Sequence, residues 1–517
     1  MTTPPIELAE PTMLGWLTDY HLDAEYVRSS GNTLFARQAD GTERPVLDFA
    51  GGYGSVLLGH NHPELVALAR ELFEQGTPIH AQFSRHPYAN DLTHRLNAIL
   101  HREFGVTEPY YAVFANSGAE AIEAAVKHAE LDRVLKVKAA VEAVESALDR
   151  ARTAVAGGTA VAEDAYRALG VPQGDVEALF AEVSRVNGEL AARQPVFLSL
   201  ESGFHGKLVG SVQLTHNPGY RTPFGALARP SRFVPFNEPG AVRKILDQER
   251  VHLHELVAAD GEVRLAGREL PVVTAFLLEP IQGEGGIQEV SAEFAAEIAA
   301  ACAEAGVPVV VDEVQSGMGR TGSFFASAQI GLRGDYYALS KSLGGGVAKA
   351  AVMLVREEFY RGEFELVHSS TFAKDSFSTT IAGKVLDLLE ADGGRAYRLA
   401  AELGGKLTAM LESIRADHPD LVKEVRGRGL MLGLEFYDQS ASPSPAVAGQ
   451  AAAGMLGYAI AGYLLREHAI RTFPTASATN TLRFEPSLQL TDEEITRLET
   501  GLRAAVEVLR DPSGRLV

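Results

Sequence analysis

The sequence predicts an α/β fold built on a mainly parallel sheet, and three observations carry that prediction. Short β-type runs at 110–114, 196–200, 272–278, 307–311 and 336–339 each end in polar or glycine residues and are followed by helical patterning. The chain has 517 residues, 46% of them hydrophobic, enough to bury a large core and divide into two or three folding units. Ligands of open parallel sheets sit beyond the carboxyl ends of the strands, and the residues just after these runs are chemically suited to hold one.

Composition narrows the function classes. The 47 basic residues face 67 acidic ones, a net charge of −20 that would be repelled by nucleic acid and by an anionic membrane. The single cysteine, Cys302, lies in an alanine-rich helical stretch, which leaves no disulfide framework and no thiolate metal site. Residues 1–10 carry early prolines and acids and no basic region ahead of an apolar run, so no signal peptide is expected. The most apolar stretch, 451–465, is short for a bilayer and is interrupted by Gly454, Gly457 and Gly462. It reads as a buried helix, and the protein as cytoplasmic.

The run 110–114 leads into Asn116-Ser117-Gly118-Ala119-Glu120, where a helix opens. Such a turn presents backbone N–H groups and a hydroxyl to an anion such as phosphate, or serves as an ordinary N-cap. Residues 130–195 then change to long amphipathic helix, with Leu135, Val144 and Leu148, a break at Gly157-Gly158, and Val176, Leu179, Phe180 and Val183 at helical spacing. The expectation is an inserted helical hairpin, either a structural appendage or a cover for a site or subunit contact.

The run 196–200 delivers Phe204-His205-Gly206, an aromatic able to stack on a planar ring or to pack in the core. The run 307–311 delivers Asp312 and Gln315. A carboxylate at the end of a buried strand needs a cationic partner, which a protonated pyridine nitrogen or an internal cap would provide. The run 336–339 delivers Lys341, followed by Gly344-Gly345-Gly346. In a partly desolvated site its amine can be neutral and attack an aldehyde, and the glycines allow a flat ligand close to the backbone. Taken alone, such a lysine is more often a surface charge.

Together these stretches resemble the class III, or ω-type, aminotransferases of pyridoxal-phosphate fold type I. Matching motifs run in family order between about 48 and 486: Gly59-His60-Asn61-His62-Pro63, Asn116 to Ala121, Phe204-His205-Gly206, Glu279-Pro280-Ile281-Gln282-Gly283-Glu284, Asp312-Glu313-Val314-Gln315, Ser340-Lys341 and Leu482-Arg483-Phe484. The resemblance implies a large cofactor-binding domain with a seven-stranded sheet at 61–375. It also implies a small α+β domain formed by 376–517 with the N-terminal segment 1–60.

The resemblance further implies that Lys341 binds pyridoxal 5'-phosphate and shuttles the substrate proton, that Asp312 holds the pyridine nitrogen, and that Gln315 lies near the ring hydroxyl. Ser117, Gly118 and Ala119 form the phosphate cup, Phe204 covers the ring, and His205 and Glu279 belong to the cofactor site. Thr371 reaches the phosphate of a partner subunit, which implies a homodimer with shared sites. Arg483 clamps a substrate carboxylate and Glu284 pairs with it when none is present, while Tyr53 and Tyr88 wall the pocket. No metal is implied.

After Thr371-Phe372 the chain reads Ala373-Lys374-Asp375-Ser376, where the family usually has Gly-Gly-Asn-Pro. With the insertion, this departure points to a specialised member acting on a bulky aldehyde or ketone of natural-product, antibiotic-type metabolism, with a glutamate- or glutamine-like donor. An aminomutase or racemase of the same fold is the alternative. A dinucleotide reading of Gly317-Met318-Gly319-Arg320-Thr321-Gly322 fails, because the first glycine lies too far past the strand and no strong helix opens at Gly322. His60 and His62 lack a third metal ligand at recognisable spacing and read as a structural turn.

Overall fold

Seven strands form the main sheet: β1 (Tyr110–Ala115), β2 (Val196–Leu200), β3 (Arg232–Val234), β4 (Val273–Leu278), β5 (Val309–Asp312), β6 (Tyr336–Leu339) and β7 (Ala351–Arg356). They are seen in a computed structural model that describes residues 7–80 and 83–517. Residues 1–6, part of the stretch read above for a signal peptide, lie outside the described residues.

The strand order is β1-β7-β6-β5-β4-β2-β3. Neighbours from β6 through β3 pair in parallel, whereas β7 is antiparallel to both β6 and β1. Because β7 reverses twice, β1 runs in the same direction as β6, and the carboxyl ends of β1, β2, β4, β5 and β6 open on one edge.

Both faces of this sheet are covered, which is why its strands read as continuous apolar runs rather than alternating ones. Phe276, Leu278, Val309, Val311, Tyr337 and Leu339 enter one core cluster. The residues between them, Ala275, Leu277, Val310, Tyr336 and Ala338, enter another, as the two-residue period of a strand requires.

The insertion departs from a simple helical hairpin. Its first arm is continuous with the helix that opens after Ser117, Gly118–Ala156, 39 residues long. The return is made by two helices, Glu163–Leu169 and Val176–Ala191. An antiparallel hairpin, Val251–Ala259 with Glu262–Leu270, completes the unit and pairs with Ala160–Val161. Leu253, Leu256 and Val263 from that hairpin close a separate core with Val144, Leu148, Leu179, Phe180 and Val183. Its turn, Asp260-Gly261, has φ of 52° and 83°, the two left-handed positions that a tight hairpin turn demands. The hairpin lies beyond β2 and β3 in the chain, so a contiguous reading of 130–195 did not include it.

The apolar stretch 451–465 is likewise not one helix. It divides between Pro445–Ala452 and Leu456–His468, with Gly454 at φ 70° in the break. Among the described residues no helix is long and apolar enough to cross a membrane. The N-terminal strands Tyr26–Ser30, Thr33–Arg37 and Glu43–Asp48 join Ile470–Arg471 in one sheet. A second four-stranded sheet, of Val422–Arg428, Met431–Phe436, Thr481–Phe484 and Phe473–Pro474, carries Arg483.

Candidate active site

Lys341 stands two residues past β6 with φ 47°, a left-handed conformation that a side chain adopts only when its surroundings hold it. Those surroundings are hydrogen bonds on either side. Ser340 Oγ donates to the Ala350 carbonyl at 3.1 Å, and Ser342 Oγ donates to the Gly54 carbonyl at 2.6 Å. Burial pushes the Lys341 amine below its ordinary pKa, and Arg483 pushes the same way, against the opposing charges of Glu485, Glu284 and Asp312. A larger neutral fraction makes the amine a nucleophile.

Asp312, the last residue of β5, is buried, and its partner is internal. Its Oδ2 lies 2.9 Å from His205 Nδ1, while Oδ1 accepts the Val314 N–H at 3.1 Å. Burial favours neutral His205, but its hydrogen bond to Asp312 and the charges of Asp312 and Glu279 outweigh this and raise its pKa. The Asp312 carboxylate is thus backed on one side and available on the other.

Glu279, just past β4, holds the neighbouring loops: Oε1 accepts the Phe204 N–H at 2.8 Å and Oε2 the Gly283 N–H at 3.0 Å. Burial, with help from Asp312 and against His205 and the two N–H groups, raises its pKa from 4.5 to about 7. An acid raised on folding contributes stability that is fully present below its unfolded value and lost as pH rises through its folded value. Glu279→Gln is therefore expected to flatten the fall in stability between pH 4.5 and about 7. Denaturant midpoints of both proteins across that range are the measurement; parallel curves would count against this assignment.

Close approach of glycines locks the strand ends together. A Cβ on Gly118 would meet Val314 Cγ1 at 2.7 Å, which seats the helix start after β1 against the loop after β5. Gly206, at φ 111°, would meet Ala119 Cβ at 2.7 Å, which seats the loop after β2 on the same helix start. Ser117 is the N-cap, its Oγ accepting the Glu120 N–H at 3.3 Å. The N–H groups of Gly118 and Ala119 lie at the positive end of a 39-residue helix.

A cavity of about 1030 Å³ opens at Phe204, lined among others also by Tyr53, Trp16, Tyr458, Glu284 and Arg483. Arg483 is fully buried and bidentate on Glu284: Nη1 donates to Oε1 at 2.8 Å, and Nη2 donates to Oε2. The Ala476 N–H also donates to Glu284 Oε2, at 2.7 Å. Burial would raise the Glu284 pKa, yet the Arg483 charge and hydrogen bond, the Ala476 N–H and Lys341 hold it at about 2. The Arg483 guanidinium lies 5.0 Å from the centroid of the Tyr53 ring, which itself stacks on Phe473.

Three further candidates do not line this cavity. Gln315 Nε2 donates to Glu485 Oε1 at 2.7 Å, so its amide is already engaged. Tyr88, in the first turn of Pro87–Phe104, is exposed and does not line the cavity. Thr371 is exposed in the turn after Phe364–Val367 and does not line the cavity of its own chain. Reading the sequence missed Glu485, Trp16 and Tyr458. Glu485 was within reach, since it follows Arg483 at the two-residue spacing of a strand face.

The other motifs resolve into packing. His60 Nε2 lies 2.8 Å from Asp48 Oδ2, and Arg471 Nη1 donates to Asp48 Oδ1 at 2.8 Å, which ties the Gly-His-x-His-Pro turn to the sheet. In the run 317–322, a Cβ on Gly319 would strike Tyr397 Cδ1 at 2.7 Å, and only a short 3-10 turn, Ala326–Ile330, follows.

An amine for an aldehyde, a carboxylate for a pyridinium nitrogen, a helix N-terminus with a hydroxyl for a phosphate and an aromatic face beside them are the donor set that pyridoxal phosphate requires. The sheet and the groups along its edge define a pyridoxal-phosphate-dependent enzyme of fold type I. Residues 18–506 match the family described as Aminotransferase class-III. The chain belongs to the class III aminotransferases, which use this cofactor to move amino groups between small-molecule donors and acceptors.

Among its relatives, a putrescine aminotransferase of Pectobacterium atrosepticum is 28% identical over 499 residues, covering 95% of this chain and 83% of that protein. The amine transaminase of an uncultivated Pseudomonas species, solved in its PLP-bound form, has a similar fold: TM-score 0.66, 20% identity, and 98% of each chain covered. The ornithine aminotransferase of Toxoplasma gondii ME49 gives a TM-score of 0.65 at 21% identity, with 97% of this chain and 96% of that one covered.

Proposed function

We propose that this enzyme carries an amino group from a glutamate- or glutamine-like donor to a bulky aldehyde or ketone of specialised, antibiotic-type metabolism, as a cytoplasmic homodimer. The observation that carries the reading is the buried Arg483–Glu284 pair on the cavity wall. A guanidinium fork matches the donor's carboxylate. When the second substrate has no carboxylate there, Glu284 re-pairs the arginine, so no buried charge is left alone. A cavity of about 1030 Å³ is far roomier than a glutamate-sized donor needs, which supports a large acceptor. Putrescine, ornithine and amine, the compounds for which the relatives are named, all offer an amino group on a carbon without a carboxylate.

When bound, the cofactor supplies the electron sink that stabilises negative charge at the substrate carbon. Lys341 would hold it and would take up and return the proton at the substrate carbon. Asp312, braced by His205, holds the proton on the pyridine nitrogen, and Gln315 meets the ring hydroxyl. Ser117, Gly118 and Ala119 bind the phosphate, Phe204 covers one face of the ring, and Glu279 fixes the loop that bears Phe204. Tyr53 shapes the pocket beside Arg483.

Thr371 serves the partner's site. Its surroundings support an interface, since the adjoining Phe372 is 66% exposed and Leu366, five residues before Thr371, 90%, apolar surface seldom left bare.

Two half-reactions test the proposal. Pyridoxal-form enzyme mixed with glutamate or glutamine is expected to release one keto acid per site, and the aminated enzyme is then expected to be reset by bulky aldehydes. An isomerised or racemised amino acid without keto acid would replace this reading with the aminomutase or racemase.

A further inference from the structure

We propose that Glu485, hydrogen-bonded to Gln315 and set near Arg320 behind Lys341, is a positioning residue for transamination, fixing the Gln315 amide and placing a negative charge near the lysine amine. The inference rests on Lys341 being the cofactor lysine.

Glu485 is wholly buried two residues after Arg483 and makes one side-chain hydrogen bond, in which Oε1 accepts from Gln315 Nε2 at 2.7 Å. Its second oxygen, Oε2, is buried without a protein partner. Arg320 is also wholly buried. Its Nη1 donates to the carbonyls of Leu430 and Pro486, but Nε and Nη2 have no partner. Among the described residues, Glu485 and Arg320 form no ion pair with any side chain.

These groups meet at Gly54. A Cβ there would lie 3.3 Å from Glu485 Oε1, 3.4 Å from Arg320 Nε and 3.4 Å from Gln315 Cγ. The Gly54 carbonyl accepts from Ser342 Oγ at 2.6 Å, which fastens the Lys341 turn to the same point. The Gly-x-Gly-x-x-Gly run that contributes Arg320 thus supplies a cation behind the active site.

Leaving a charged group buried with unused bonding capacity is costly, and groups kept in that condition cluster where function needs them. Here the arrangement does two things. Engaging one side of the Gln315 amide fixes the orientation that the cofactor's ring oxygen meets. The Glu485 charge, with Glu284 and Asp312 and against Arg483, favours the protonated state of the Lys341 amine, which must alternate between proton acceptor and donor during turnover.

Glu485→Gln keeps the shape and an acceptor for Gln315 while deleting the charge. In resting holoenzyme, the pH midpoint of the visible absorbance of the lysine-bound cofactor is expected to move down by about one unit. The rate of the half-reaction with saturating glutamate is expected to fall about 10-fold at neutral pH, the rate equivalent of one pKa unit. Glu485→Asp keeps the charge but draws it back by one methylene, so its midpoint should fall between the two.

An unmoved midpoint in Glu485→Gln overturns the proposal. If that variant does not fold, a Glu485→Asp enzyme with wild-type midpoint and half-reaction rate overturns it equally. A visible band that persists in the Lys341→Ala holoenzyme would instead refute the role of Lys341, a different outcome.

Discussion

Lys341→Ala is expected to bind pyridoxal phosphate without the visible band of a lysine-bound cofactor and to transaminate about 10⁴-fold more slowly or worse, the upper reach of what one proton-transfer group contributes. No other lysine follows the carboxyl end of a main-sheet strand so closely, and the Lys341 amine combines burial with the opposing charges of Glu485, Glu284 and Asp312. The fold should survive. The left-handed turn is set by Ser340, Ser342 and Gly54 rather than by the lysine side chain, so the thermal midpoint should change by a few degrees at most. Absorbance spectra and single-turnover rates with glutamate check both halves, and partial rescue by a small exogenous amine would show that a proton carrier is what was lost. A variant within ten-fold of wild type would remove Lys341 from the reaction.

What could be read from the sequence was whatever depends on local order along the chain. The strands that deliver Ser117, Phe204, Asp312 and Lys341 were visible because a sheet covered on both faces demands short continuous apolar runs, and the groups that follow them are chemically distinctive. Contacts that cross long stretches of chain were not visible. The hairpin 251–270 had its own signature, alternation around Asp260-Gly261, but its membership in the insertion depends on packing against helices about a hundred residues earlier. Glu485 was passed over for a similar reason. Its neighbour Arg483 matched a motif, whereas the meaning of Glu485 comes from Gln315, Arg320 and Gly54, which only the fold brings together. Gln315 also illustrates the difference between finding a residue and finding its partner, since its amide donates to Glu485.

Replacing Arg483 by Met should separate recognition of the donor from stability of the fold, because the arginine serves both. Its removal strands Glu284, a carboxylate that burial would push up and that Arg483 does most to hold at about 2. Breaking one side of a buried pair typically costs about 3–5 kcal/mol. The same order of loss, about 150-fold to about 5,000-fold, is expected in kcat/KM for glutamate, whose carboxylate loses its fork. An amine donor without that carboxylate should lose much less. Acid titration carries a second signature. In the wild type, Glu284 with its lowered pKa contributes stability present above 4.5 and lost as pH falls toward about 2. Without Arg483, desolvation governs, the sign reverses, and Arg483→Met should gain stability relative to wild type as the medium is made mildly acidic. The double variant Arg483→Met with Glu284→Leu separates the two roles most sharply, since exchanging a whole buried pair for apolar groups is often neutral or stabilising. It should regain most of the lost thermal stability while glutamate activity stays low. If glutamate turnover returned with the stability, the arginine would be a packing element and the donor's carboxylate would be bound elsewhere.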